Sequence, residues 1–127
     1  MMSKYYLIKF DYRAQLDSVY ISVLGVKGRS ETLQVSENLV IDLDSEKIPS
    51  RFKIAEASTL FQEKVNLLKK LSQVKIILKA DSESIAFEGQ FEFLIDNVIL
   101  DKKLEVTIPN DIKMPEMVGN YIAGKSF

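Results

Sequence analysis

The sequence predicts an α+β fold, an antiparallel β-meander or pair of meanders with one main helix packed on the sheet. Three observations predict it. Apolar and polar residues alternate at period two through most of the chain, as in strands with one wet face. One stretch after Pro49, TLFQEKVNLLKKLS, changes to helical spacing and contains neither Gly nor Pro. Clusters such as DSEK and DSES punctuate the alternating runs as turns. We read one domain over residues 1–127: an N-terminal meander at 1–58, the helix at 59–72, a C-terminal meander at 73–111 and a tail at 112–127.

The first strand is YYLIKF, ending at Asp11, and residues 12–17 form a turn. SVYISVLGV follows, with Val19, Ile21 and Val23 on one face, and Gly25, Gly28 and Arg29 mark the next connection. ETLQV and NLVIDLD supply further strand material before the DSEK turn. In the expected helix, Phe61, Val65, Leu68 and Leu71 form an apolar stripe destined for the core. Thr59 and Gln62 have the spacing of a capping box, Glu63 suits the first turn, and Lys69 and Lys70 suit the last. VKIILKA then alternates Val74, Ile76 and Leu78 with lysines, and SIAFEGQFEFLI puts Ile85, Phe87, Phe91, Phe93 and Ile95 on one face. VILD and LEVTI are shorter strands, and the tail reads either as a short helix from Pro115 or as an irregular covering segment. ENLVID at 37–42 echoes DNVILD at 96–101. Two divergent copies of one meander would explain the echo, and so would generic strand composition.

Composition narrows the chemistry. With 46% apolar and 28% charged residues the chain is globular, and a net charge of -1 gives no global pull toward nucleic acid or acidic membranes. It contains no His, Cys or Trp. An imidazole acid or base, a thiolate nucleophile, a disulfide and a thiolate zinc site are therefore excluded. Lys4, Lys9 and Asp11 break the N-terminal apolar run, so we expect neither a signal peptide nor a membrane span, and a cytoplasmic protein.

Three stretches between Phe10 and Phe61 resemble a known family. Asp17-Ser18-Val19-Tyr20-Ile21, preceded by Phe10-Asp11, is similar to that family's Asp-x-Leu-Tyr-Ile strand. Val40-Ile41-Asp42-Leu43-Asp44 is similar to its acidic-ended third strand, and Phe52-Lys53-Ile54-Ala55-Glu56-Ala57-Ser58 to its closing strand and Ala-Ser helix start. The family is domain of unknown function 2283, small proteins with no established activity. The resemblance implies a compact β-meander followed by a helix. Arg51 stands where the family commonly has Gly, and Lys53 where it commonly has Glu.

Three sets of residues are candidate sites. GNYIAGKS fits the phosphate-loop pattern through Gly119, Gly124, Lys125 and Ser126. We expect no nucleotide site there, since Pro115 interrupts the segment before it and only Phe127 follows in this sequence, which leaves no helix to hold phosphates. Asp11, Asp17, Asp42 and Asp44 would offer several carboxylates to a metal if adjacent strand ends brought them together. Lys69, Lys70, Lys75 and Lys79 cluster near the helix-to-strand junction and would suit salt-dependent, sequence-blind phosphate contacts.

The sequence thus favours a non-enzymatic binding or assembly module, with no cofactor. The alternative is a weak metal- or nucleic-acid-binding protein using the acidic strand ends or the lysines. One helix covers only part of so wide a sheet, so either two meanders pack face to face with Met114, Met117, Val118, Tyr121 and Ile122 of the tail closing one end, or an apolar patch pairs across a two-fold axis; we expect the second, a homodimer with the tail at its interface.

Overall fold

A computed structural model of the protein describes residues 3–123. Strands take 60% of these residues and helices 10%, so the fold is mostly β. Nine strands form one sheet: β1 (Ser3–Arg13), β2 (Ser18–Val23), β3 (Glu31–Gln34), β4 (Leu39–Leu43), β5 (Pro49–Ile54), β6 (Leu71–Ala80), β7 (Ser84–Ile95), β8 (Val98–Pro109) and β9 (Met117–Ala123). Their spatial order is β3-β4-β5-β2-β1-β9-β6-β7-β8. Every pairing is antiparallel except β1 with β9, which run parallel in the middle of the sheet.

The sheet curls into a half-barrel. Phe52 on β5 and Phe87 on β7 have ring centroids 5.9 Å apart, although four strands lie between theirs in the sheet. On a flat sheet, strands five steps apart would be roughly 24 Å apart. Phe52 also meets Tyr121 of β9 edge-on at 5.2 Å, and Tyr121 stacks on Tyr6 of β1 at 5.0 Å. The concave face is the core, with Ile8, Ile21, Ile41, Phe52, Ile76, Phe87 and Tyr121 buried along it. Two concave-face glycines make room for this packing. A Cβ on Gly119 would lie 2.7 Å from the Tyr121 hydroxyl, and one on Gly89 would lie 2.7 Å from the Phe91 ring.

These findings correct the expected α+β class with one main helix. In place of a helix at 59–72 there are two short ones, α1 (Ala57–Phe61) and α2 (Val65–Leu68). Gln62 ends the first with φ 55°, in the left-handed region. Leu71 already pairs with Phe93 as β6 begins, so it is lost to the helical stripe. Phe61 and Leu68 are nevertheless core residues, and Phe61 reaches Phe91 of β7 with ring centroids 5.0 Å apart. The expected cap is also displaced: α1 begins before Thr59, and no side chain at its N-cap residue Glu56 makes a capping bond.

Nor is the N-terminal half a simple meander. β2 pairs with β1 and β5, which sends the β3–β4 hairpin to the sheet edge. The tail is a strand, in which Met117, Gly119, Tyr121 and Ala123 point inward. Buried Asn110 directs the chain toward it. Its side-chain amide donates to the Asp81 carbonyl at 2.7 Å and the Met114 carbonyl at 2.9 Å, and its oxygen accepts the Met114 N–H at 2.8 Å. The two echoing segments hold different places, one leading into interior strand β4 and the other into edge strand β8.

Candidate functional site

The convex face of the N-terminal half carries four cations, Lys27, Arg29, Arg51 and Lys53, that form no ion pair among the described residues. Inward Ile21, Ile41 and Phe52 set the phase of β2, β4 and β5, so their neighbours in sequence project outward. Strand register then aligns those neighbours in two rungs. Ser22, Arg51, Asp42 and Thr32 lie side by side across β2, β5, β4 and β3, and Tyr20, Lys53 and Val40 form the next rung.

The loop from Leu24 to Ser30 crosses the ends of these strands, from β2 to β3. Gly25 and Gly28 turn it at φ 84° and 101°, conformations that a side chain would strain. Ser50 Oγ donates to the Gly28 carbonyl at 2.7 Å, and the Ser30 N–H donates to the Leu43 carbonyl at 2.8 Å, which fixes the loop to β4 and β5. Arg29 is thereby held beside Arg51. Two adjoining depressions result, one under the loop and one over Tyr20, and Arg29, Asp42 and Arg51 line both.

The charge of this cleft is one-sided. Lys27, Arg29, Arg51 and Lys53 face it with Asp42 as the acidic lining residue, and Asp42 accepts the Thr32 hydroxyl at 3.1 Å. Among the described residues, none of the four cations forms an ion pair. The Tyr20 ring adds local order, with the Arg13 guanidinium 4.5 Å and the Lys53 ammonium 5.6 Å from its centroid. Elsewhere the convex face is balanced: a depression across β6, β7 and β8 sets Lys75 and Lys103 against Glu88 and Glu105. The cleft is therefore suited to an anion, because planar guanidiniums offer paired donors to phosphate or carboxylate oxygens.

The four candidate carboxylates stand apart, each with its own partners. Asp11 pairs with Arg13 at 3.2 Å on β1, and Asp42 lies in the cleft. Asp44 accepts the Glu46 and Ile48 N–H groups at 2.9 Å and so shapes the β4–β5 turn. Asp17 accepts the Tyr12 hydroxyl at 2.7 Å, the Ser58 hydroxyl at 2.5 Å and the Ser58 N–H at 3.1 Å. Among the described residues no three acidic groups are placed to hold one metal ion.

The Tyr12–Asp17–Ser58 cluster has the residue types of a hydrolytic site but not its chemistry. Burial acts to raise the Asp17 pKa, yet hydrogen bonds from the Ser58 side chain, Tyr12 and the Ser58 backbone outweigh it and hold the group below its ordinary value. Such a carboxylate is a poor base for activating the Ser58 hydroxyl. Tyr12 is driven the other way by burial, by its bond to Asp17 and by that residue's charge, and so stays protonated.

Of the candidate lysines, Lys75 and Lys79 project outward from β6, while Lys69 and Lys70 follow α2. Gly119 lies inside β9, with Lys4 and Leu78 as its strand partners. Gly124, Lys125 and Ser126 lie outside the described residues. No described helix is long and apolar enough to cross a membrane. Sequence reasoning missed the cleft because Lys27 and Arg29 come from one segment and Arg51 and Lys53 from another. The available signal was the alternation Arg51-Phe52-Lys53, which turns two cations to one face.

No family model, curated protein or solved structure matches the chain.

Proposed function

We propose that the chain is a non-enzymatic binding module that holds a phosphate-bearing polyanion, such as a nucleic-acid single strand, in the convex cleft over β2, β5 and β4. One observation carries this reading. Among the described residues, four cations without an ion pair face a single lining carboxylate, in a chain whose net charge is only -1. Arg29 and Arg51 supply paired donors for phosphate oxygens, and Lys27 and Lys53 extend the positive track on either side. Binding of this kind depends on salt and reads little sequence.

The same proposal spends the Tyr12–Asp17–Ser58 cluster on folding rather than catalysis. It assigns the module to the cytoplasm, where nucleic-acid single strands are met. We further propose kinship of residues 10–61 with domain of unknown function 2283. The bond between Asp17 and Ser58 favours this, since it links two of the segments that carry the resemblance.

The test is fluorescence anisotropy with a labelled single-stranded oligonucleotide. We expect affinity to fall steeply between roughly 50 and 200 mM salt. Arg51→Glu and Lys53→Glu should each weaken binding at least about tenfold, while Lys75→Glu and Lys79→Glu should leave it nearly unchanged. Absence of binding at low salt, or equal loss from both pairs of substitutions, would reject the cleft as the site.

A further inference from the structure

We propose that edge strand β8 pairs with β8 of a second copy of this chain, in an antiparallel register centred on Leu104. The proposal is independent of the cleft, which lies in the other half of the sheet.

β8 spans Val98–Pro109 and, among the described residues, has a single strand neighbour, β7. Its concave-face residues are incompletely covered. Leu104, Val106 and Ile108 are half-buried, whereas their cross-strand partners Gly89, Phe87 and Ile85 are buried. A further strand alongside β8 would complete that burial.

The free backbone groups can be assigned. Asp96 and Asn97, with φ 48° and 67°, form a two-residue hairpin turn closed by the pair Ile95–Val98. That closing pair exchanges hydrogen bonds, and the pattern alternates along the ladder. Even-numbered residues of β8 therefore bond to β7, and Ile99, Asp101, Lys103, Glu105 and Thr107 direct their N–H and C=O groups away from it.

Charge then selects the register. A two-fold axis at Lys103 would set Lys103 against its own copy and Asp101 against Glu105, while one at Glu105 would oppose two glutamates. An axis at Lys102 would oppose two lysines on the concave face. Centred on Leu104, Lys103 faces the second copy's Glu105 and Glu105 faces its Lys103, a double opposite-charge pair on the convex face. Asp101 then faces Thr107, and Ile99, 59% exposed in the single chain, faces Pro109. On the concave face Leu100 meets Ile108 and Leu104 meets its own copy. Lys102 points inward on this edge, but Glu63 engages it at 2.9 Å, so it presents no bare charge to the arriving strand.

Light scattering on the full chain over a dilution series provides the test. We expect twice the 14.5 kDa chain mass at high concentration. Lys103→Glu alone and Glu105→Lys alone should each raise the dimer dissociation constant at least about tenfold, because each opposes like charges twice. An equimolar mixture of the two variants should restore the dimer, since every Glu then faces a Lys. Both sites are on the exposed convex face, and a melting temperature equal to the parent's at a dilution where both are monomeric verifies that each variant folds. A chain mass of 14.5 kDa at all concentrations would overturn the proposal, as would a dimer indifferent to both reversals or a mixture that stays monomeric.

Discussion

Asp17 and Ser58 are 41 residues apart in sequence, and the Asp17 carboxylate accepts both the Ser58 N–H and the Ser58 hydroxyl. The Asp17 carbonyl also accepts the Ala57 N–H at 2.9 Å. The turn between β1 and β2 thus caps α1 from a distance, satisfying amides that no residue at the start of the helix reaches.

Replacing Asp17 by Asn should therefore lower stability at pH 7 by roughly 1.5 to 3 kcal/mol, the range for hydrogen bonds to a charged group. The pH dependence has a definite sign. Asp17 is held below its ordinary value of 3.8 when folded, so it favours the folded state above that pH and loses this contribution as pH falls through its folded value. Urea unfolding at pH 7 and pH 3 should show a smaller acid-induced loss for Asp17→Asn than for the parent. Equal losses would mean that the carboxylate does not fasten the helix.

The curl of the sheet rests on the contact between Phe52 and Phe87. Truncating Phe87 to Ala removes a buried ring that bridges strands far apart in the sheet, and should cost about 3 to 5 kcal/mol. A loss below about 0.5 kcal/mol, the scale of surface substitutions, would indicate a flatter sheet.

Gly119 and Tyr121 form a coupled pair. The Tyr121 hydroxyl is buried without a hydrogen-bond partner among the described residues, and it is the closest atom to a Cβ at Gly119. Tyr121→Phe should stabilise the fold by about 1 kcal/mol by removing an unsatisfied donor. Gly119→Ala should destabilise it by about 1 to 3 kcal/mol through overpacking. The Gly119→Ala penalty should also shrink in the Tyr121→Phe background, since the nearest clash is gone. Simple additivity in thermal unfolding would contradict this geometry.

The tail follows the same logic. Met114, Met117 and Tyr121 are buried within a single chain, as in the alternative in which the tail closes the fold rather than a dimer, and β9 lies between β1 and β6. Deleting residues 113–127 should therefore unfold the protein rather than merely dissociate an oligomer. Circular dichroism of a truncated chain that retained its strand signal and melting temperature would argue against a central β9.

Local periodicity made the core legible. Val19, Ile21 and Val23, and likewise Ile85, Phe87, Phe91 and Phe93, share faces in the sequence and are buried together. Phe61 and Leu68 also reach the core, although the single helix expected to carry them is two short pieces. Strand order was not legible, because the pairing of β1 with β9 joins segments more than a hundred residues apart and has no local signature. β9 was hidden by Gly119 and nearby Pro115, which weaken a period-two pattern that Met117, Tyr121 and Ala123 otherwise carry. The lysines singled out near 69–79 are close in sequence, whereas register and a glycine-turned loop assemble the cleft cations from distant segments. A search for charge runs finds the first kind of cluster and misses the second.

The most direct measurement is an NMR titration of the ¹⁵N-labelled protein with a single-stranded oligonucleotide at low salt. We expect amide shift changes concentrated at Tyr20, Ser22, Gly28, Arg29, Arg51 and Lys53, reversed by added salt. Changes centred instead on Lys75, Lys79 and Lys103, or none at saturating oligonucleotide, would contradict the cleft as the binding site.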